Sequence, residues 1–460
     1  MPDIIVIGGG TGGVAAAIRA SQLGARVTMI EKGELGGNCV NRNCIPLTSM
    51  LASIELFARI RQAGEMGIEV GEPSINPAKI VERANQISQD LREGLGELLP
   101  THNIEVISGQ ARLVGPKTVE VNGLRFMAER AVVVATGAHW ASPPQGIDPA
   151  AITTPHQAIR LDPLPHSILI WGGGPVELEF ATLYAHLGCK VTLVIDGAYP
   201  LPTEDYEIGQ RLQGVLREQG IQILTNATLK TAVKAGNEVK ATVTSRKGET
   251  ELIFQQLLWA GRRPNTEGLG LSEIGVKFDA ARGGAVIVNS CQQTSVPAIY
   301  AAGDVVGEPY YSSVATVEGL IAAENLMGRS RKLDRRMIPR YAFTLPEVGC
   351  VGLTEEQAED AGYEVGIINL PMDTNSRAAG LSETEGGIKL VTNKKQGKIL
   401  GVHIMGHRAT ELVAEAAMAV QLEALAEDWA WAIRPHPTLS ESMVEAGRGA
   451  LGQALYIQPM

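Results

Sequence analysis

An α/β architecture, with one βαβ unit used twice and an α+β tail, is predicted by three observations. A strand, glycine turn, helix and strand recur in the same order in two places. Glycine is abundant (52 residues) while aromatic residues are sparse (4%), which suits tight strand-to-helix turns. After Arg336 the pattern changes to strands followed by a long apolar stretch. With 460 residues the chain has room for roughly three domains of ~150 residues.

The first copy is IIVIGGGTGGVAAAIRASQLGARVTMIEKG, from Ile4 to Gly33. Gly8 and Gly10 permit a tight turn and close approach of backbone to a pyrophosphate, Gly13 permits close packing of helix on strand, and Glu31 ends the second strand where a ribose hydroxyl would lie. This is the logic of a dinucleotide-binding unit. The segment GGNCVNRNCIPLTSM follows, carrying Cys39 and Cys44. The pair reads as a metal clip, a structural staple, a redox pair or an accident of spacing. Five positions along a regular helix rise ~7.5 Å, whereas a disulfide needs Cα atoms about 4.4–6.8 Å apart. A bridge therefore requires a distorted helix start. Zinc would need further ligands nearby, and the nearest histidine in sequence is His102.

A mostly β segment comes next. TVEVNGLRF (Thr118 to Phe126) is a hairpin pattern with Asn122-Gly123 at the turn, and AVVVATGAHW is a buried strand ending on a glycine turn. The second copy, SILIWGGGPVELEFATLYAHLGCKVTLVIDG, runs from Ser167 to Gly197. Gly172 and Gly174 hold, but Glu177 stands where the third glycine belongs. It crowds helix against strand, or puts a carboxylate near the phosphates. IYAAGDV is a further buried strand. In the tail, IPRYAFTLPEVGCVGLT and KILGVHIMG read as strands, and ELVAEAAMAVQLEALAEDWAWAI reads as one long apolar helix. Two units plus this tail imply two dinucleotides and an interface domain.

Composition narrows the class. Five cysteines, an odd count, do not make a secreted disulfide framework. A net charge of −10 disfavours nucleic acid. No run approaches the ~18 apolar residues of a membrane span, and the first apolar stretch leads straight into glycines as a core strand would. A cytoplasmic enzyme is expected, with no nucleic-acid or membrane partner and no metal.

The ordered set GGGTGG with Glu31, GGNCVNRNC, VVATG, the second glycine turn, AGRRPNTEGLGL, SVPAIYAAGDV and HPTLSESMVEA resembles the flavoprotein disulfide reductases over the whole chain. The resemblance implies an α/β fold with two Rossmann-like dinucleotide-binding domains plus a C-terminal α+β dimerisation domain. The boundaries expected are 1–145 with 268–336 for FAD, 146–267 for NAD and 337–460 for the dimer interface. It implies FAD and NAD(H) as cofactors and a homodimer. Cys39 would exchange with substrate and Cys44 would face the flavin as a redox disulfide. His436 would be the acid–base, as suits imidazole, oriented by Glu441. Thr438 to Glu441 also reads as a capping box at a helix start. Gly8, Gly10, Gly13, Glu31, Thr136, Gly137 and Asp304 would hold FAD, and Asp304 could equally cap a strand end. The cofactor-binding set further includes Lys32, Gly37, Asn38, Thr48, Gly109, Ala111, Gly303, Ala315, Gly172, Gly174, Glu179, Asp196, Gly261 and Arg262.

Within the family, HPTLSE matches the lipoamide type, which oxidises a protein-bound dihydrolipoyl group. No cysteine follows Cys350, unlike the mercuric type. Asp196 ends the second unit's strand with no base before Arg211, which favours NAD(H) over its 2′-phosphate analogue. Alternatives are a glutathione-reductase-like or other disulfide reductase, an NADH oxidase or diaphorase, and a low-turnover flavin protein that docks to a lipoyl carrier. One departure stands out. The lipoamide type carries a lysine where this chain has Thr48, and that lysine pairs with a glutamate matched by Glu179. Without its cation, Glu179 should make the flavin harder to reduce, or be neutralised by protonation or another partner.

Overall fold

The computed structural model describes residues 1–456. Its first sheet is parallel and five-stranded, in the order Ile299–Ala301, Ala131–Val134, Ile4–Ile7, Val27–Glu31, Glu105–Ser108. Ile4, Ile5, Val6, Val132, Val133 and Val134 are fully buried, as continuous apolar strands covered on both faces require. One edge strand, Ile299–Ala301, comes from beyond the second βαβ unit, so this sheet is discontinuous in sequence. Helix Thr11–Gln22 packs on helix Ser312–Leu326.

The second sheet is also parallel, in the order Gln222–Thr225, Lys190–Ile195, Ser167–Trp171, Gln256–Trp259, Ile152–Thr153. Helix Pro175–His186 connects Ser167–Trp171 to Lys190–Ile195. It buries Phe180 and Tyr184 completely, and the Tyr184 hydroxyl donates to the Ala158 carbonyl at 2.9 Å. The tail forms an antiparallel five-stranded sheet ordered Arg340–Ala342, Glu347–Gly352, Ile399–Gly406, Gly387–Asn393, Val365–Pro371. The Asn122-Gly123 turn forms as expected, with φ of +52° and +74°.

The single long helix expected near the end does not form. Two helices, Ala409–Gln421 and Ala426–Trp431, replace it. Glu423 between them adopts φ +56°. The Ile399 amide donates to the Ala424 carbonyl at 2.9 Å, and the Ala426 amide donates to the Gly397 carbonyl at 2.8 Å. Backbone pairing with the neighbouring strand thus outweighs the helical pattern of the side chains.

Two features join the parts. Helix Cys44–Arg61 lies against helix Pro175–His186, and its Leu47, Met50, Leu51 and Ile54 share a core with Leu178 and Phe180. Lys389, 2% exposed on the tail sheet, meets Asp205 at 3.0 Å, Glu207 at 2.8 Å and Glu355 at 2.6 Å. Burial alone would favour loss of its proton, but the three carboxylates outweigh that and hold it charged. No helix among the described residues is long and apolar enough to cross a membrane.

Candidate active site

The distorted helix start that a Cys39–Cys44 bridge requires is present. Cys39 lies in the short helix Gly37–Asn41, and Cys44 opens the next helix, Cys44–Arg61. The chain breaks between them, with Arg42 at φ −142° and Asn43 at φ −143°. Both cysteines are half-buried free thiols within hydrogen-bonding reach of one another. The Cys44 thiol donates to Cys39 and, against the cost of burial, brings Cys39 down to about 7, with Ser312 as a second donor. The same contact, with burial, pushes Cys44 well up. Ser312 Oγ lies 3.6 Å from Cys44 Sγ. One easily formed charge therefore belongs to the pair. Of the other cysteines, Cys189 and Cys350 are buried and pushed up by burial.

The segment carrying the pair is laid against the first glycine turn. Gly10 and Gly36 form a parallel bridge, and a Cβ on Gly37 would come within 2.9 Å of Gly10 Cα. Gly8 adopts φ +108°, and Cβ atoms at Gly8 and Gly13 would run into the Ala135 and Gly8 carbonyls. Helix Thr11–Gln22 starts at Gly10 with no side-chain cap. Its first amides thus face a bare turn. Glu31 accepts from the Gly9 and Gly33 amides, the latter at 2.7 Å, and the Gly109 amide donates to its carbonyl at 2.9 Å. Asn38 Nδ2 donates to the Ala138 carbonyl at 2.6 Å, and Thr136 Oγ1 donates to the Asn265 carbonyl at 2.8 Å next to Gly137, at φ +71°. Ala315 packs against Gly303 and Gly12, Ala111 is buried and Lys32 is exposed. Beside the pair, Asn43 Oδ1 is buried with no partner among the described residues. The uncapped helix start, the glycine cradle and this orphaned oxygen fit an FAD.

Asp304 does not stand alone. Burial raises its carboxyl, Arg262 Nη1 meets it at 3.2 Å, and the guanidinium lies 5.0 Å from the Trp140 ring and 5.4 Å from the Tyr310 ring. The Gly303 amide donates to Glu318 at 2.8 Å, and burial lifts that acid to about 7.

At the second turn Gly172 adopts φ +128°, Trp171 stacks on Trp259 at 5.6 Å, and a Cβ on Gly261 would run into the Trp259 ring. Gly174 caps helix Pro175–His186. Glu177 folds back over the glycines. Asp196 is exposed just past the strand end at Ile195. Two residues along the helix from Glu177, Glu179 is 9% exposed and has the Phe343 amide as donor at 3.1 Å. Burial lifts it to about 8, with the nearby Cys44 and Glu177 adding to the rise. Thr48 turns its hydroxyl into its own helix, donating to the Cys44 carbonyl at 2.7 Å. Glu179 thus has a backbone amide in place of a cation and keeps its proton at neutrality.

His436 Nδ1 lies 2.8 Å from Glu441 Oε1. The other Glu441 oxygen accepts from the Thr438 amide at 2.8 Å, so one carboxylate orients the ring and closes the turn before helix Glu441–Ala450. Burial pushes Glu441 up, but Thr438 and His436 outweigh it and hold it below the usual range. The His436 side chain is 73% exposed, and Trp431 (73%) and Ile433 (97%) stand exposed just before it.

Sequence reading missed Ser312, Tyr311, Tyr341 and Phe343. Tyr341 packs between Tyr311 at 4.9 Å and Phe343 at 5.5 Å; burial raises its hydroxyl, and a charge on the cysteine pair adds to the rise. The aromatic run at Tyr310-Tyr311 before Ser312 was the only signal. Separately, Glu204, Cys350 and His403 bring ligand-type atoms within 4.8 Å of one another. Arg340 already holds Glu204 there at 2.8 Å.

Residues 2–319 match the pyridine nucleotide-disulphide oxidoreductase family, and residues 338–447 match the dimerisation domain of that family. A dihydrolipoyl dehydrogenase of Bacillus subtilis is 34% identical over 99% of both chains. One from Thermus scotoductus is 36% identical over 99% of this chain and 98% of its own. Among solved structures, LpdA from Mycobacterium tuberculosis superposes with a TM-score of 0.87 at 28% identity, covering 97% of this chain and 99% of that one. The HOCl-induced flavoprotein disulfide reductase RclA of Escherichia coli reaches 0.85 at 27%, covering 96% and 98%. The chain belongs to the pyridine nucleotide-disulphide oxidoreductases, enzymes that use FAD and a nicotinamide dinucleotide.

Proposed function

We propose that the chain oxidises a dihydrolipoyl group carried on a protein and delivers the electrons to NAD+. The observation that carries this reading is the cysteine pair: two thiols across a helix break, against the first glycine turn, with one charge held between them. Full-length similarity to dihydrolipoyl dehydrogenases supports the substrate, and the absence of a base beside Asp196 supports NAD+ over the phosphorylated form. Within this reading, residues 1–145 with 268–336 bind FAD, 146–267 bind NAD and 337–460 form the dimer interface. The dimerisation-domain match and the exposed Trp431 and Ile433 support a homodimer. The cytoplasm is the proposed location.

His436 of the partner subunit takes the proton of one substrate thiol, fixed in orientation by its own chain's glutamate. The substrate sulfur attacks Cys39 of the oxidised pair, the Cys39–Cys44 bond breaks, and Cys44 leaves as a thiolate. The second substrate sulfur then displaces Cys39, which leaves as a thiol carrying the first proton from the histidine; the second substrate thiol's proton takes its place on the histidine, and oxidised lipoyl departs. FAD, when bound, supplies the two-electron relay from the pair to NAD+. Glu179, neutral, keeps a second negative charge away from Cys44.

RclA as a structural neighbour supports a second reading, another disulfide as substrate. Anaerobic titration of the yellow protein separates the two. Dihydrolipoamide should bleach the flavin and NAD+ restore it. Bleaching by NADH with none by dihydrolipoamide would reject the lipoyl substrate.

A further inference from the structure

The second glycine turn already holds a carboxyl group of its own. Glu177 is the third residue of helix Pro175–His186, and its carboxylate turns back over the turn. One oxygen lies 3.0 Å from where a Cβ on Gly172 would sit, the other 2.9 Å from that of Gly174. Its own amide and that of Gly174 favour its charged form, against the cost of burial. In a unit of this kind these bare glycines and first-turn amides face a pyrophosphate.

We propose that Glu177 is a resident competitor for the pyrophosphate of the nicotinamide dinucleotide, and that the dinucleotide binds only by displacing this carboxylate from the turn. The inference rests on the reading of the second unit as the NAD(H) site and names the residue that limits its affinity. A carboxylate and a pyrophosphate cannot share the same donors, and two like charges about 4 Å apart repel strongly even where solvent screens them. The charged group beside Glu177 is Arg262, which attracts it; Glu179, on the same helix, is held neutral by burial and by the nearness of Cys44 and Glu177. Burial raises the pKa of Glu177. The neutral form gains weight as pH falls, and the neutral form yields the donors more readily.

The test is calorimetric binding of ADP-ribose, which carries the pyrophosphate but no redox centre, to FAD-loaded wild type, Glu177→Gly and Glu177→Gln. Adenosine, lacking phosphate, is the control. At pH 8 both variants should bind ADP-ribose at least about tenfold more tightly than wild type, Gly more than Gln, with adenosine unchanged. Wild-type affinity should rise as pH falls, by more than that of either variant, because Glu179 titrates in all three proteins. Equal ADP-ribose affinity in all three proteins would overturn the proposal, as would an equal gain for adenosine. No ADP-ribose binding by any of them would overturn the nucleotide site itself. The lipoyl reading is tested apart from this, because no dithiol enters the assay.

Discussion

At the first glycine turn a Cβ on Gly13 would run into the Gly8 carbonyl and lie 3.3 Å from Ala135 Cβ. At the second, the matching position carries all of Glu177, and the turn seats it. The helices differ in the same way. Thr11–Gln22 has no carboxylate, whereas Pro175–His186 has two near its start, Glu177 and Glu179. At the first turn Glu31 takes the Gly9 amide from the strand side, and the start of helix Thr11–Gln22 is left without a side-chain cap, with the cysteine segment pressed against it. The second is a similar turn that brings its own negative charge. A shared backbone motif fixes where a phosphate could go. The side chains it tolerates decide how readily one arrives.

The largest effect should come from moving the difference across. Gly13→Glu puts a side chain where there is no room for a methyl group, and a charge where FAD phosphates would lie. The variant should purify colourless, with FAD content near zero. A yellow Gly13→Glu protein with full flavin would show that the first turn can open as the second has, and would end the comparison.

Next in size is Cys39→Ser. It should lower dihydrolipoamide turnover at least about a thousandfold, while NADH, acting through the second site, still reduces the flavin. It also removes the contact that pushes Cys44 up, so Cys44 should ionise more easily and the long-wavelength absorbance of a thiolate beside flavin should persist. Cys44→Ser should abolish that band. Wild-type dithiol turnover in Cys39→Ser would refute the redox pair.

These sites differ in how legible they were. The glycines and the cysteines announce themselves because each position admits few residue types: a φ of +108° at Gly8 needs glycine, and redox exchange needs sulfur. The need for a break between Cys39 and Cys44 followed from helix rise alone. The partner of Glu179 was not legible, since it is the backbone amide of Phe343, brought by a strand of the tail sheet. Periodicity failed between Gln421 and Ala426, where strand pairing interrupts an apolar helix pattern. Ser312 reached Cys44 only through the packing of a helix distant in sequence.

Glu179 offers a smaller, pH-dependent test. Its folded pKa of about 8 lies above that of an ordinary carboxyl, so its stabilising contribution is complete at acid pH and is lost as pH rises through about 8. The loss is on the order of 4 kcal/mol at its upper end. Glu179→Gln should melt close to wild type at pH 5 and above it at pH 8.5. A constant difference between the two proteins across this range would mean that Glu179 is ionised in the folded state and held by a cation.

The smallest expected effect belongs to Thr48. Its hydroxyl donates to the Cys44 carbonyl at 2.7 Å and to the Ile45 carbonyl at 3.3 Å, so it serves its own helix. Thr48→Lys would project an ammonium from the helix that packs against Pro175–His186. There it would favour ionised Glu179 and stabilise negative charge on the reduced flavin. A cation at this range contributes on the order of 1.4 kcal/mol in a partly screened site, about 30 mV for a two-electron couple. The flavin midpoint potential should rise by that amount in Thr48→Lys. The rise should change in the Thr48→Lys/Glu179→Gln double mutant, because part of the lysine's charge is otherwise neutralised by Glu179. If the potential is the same in all three proteins, the lysine does not reach the flavin, and Thr48 does no more than bond back to the first turn of the cysteine helix.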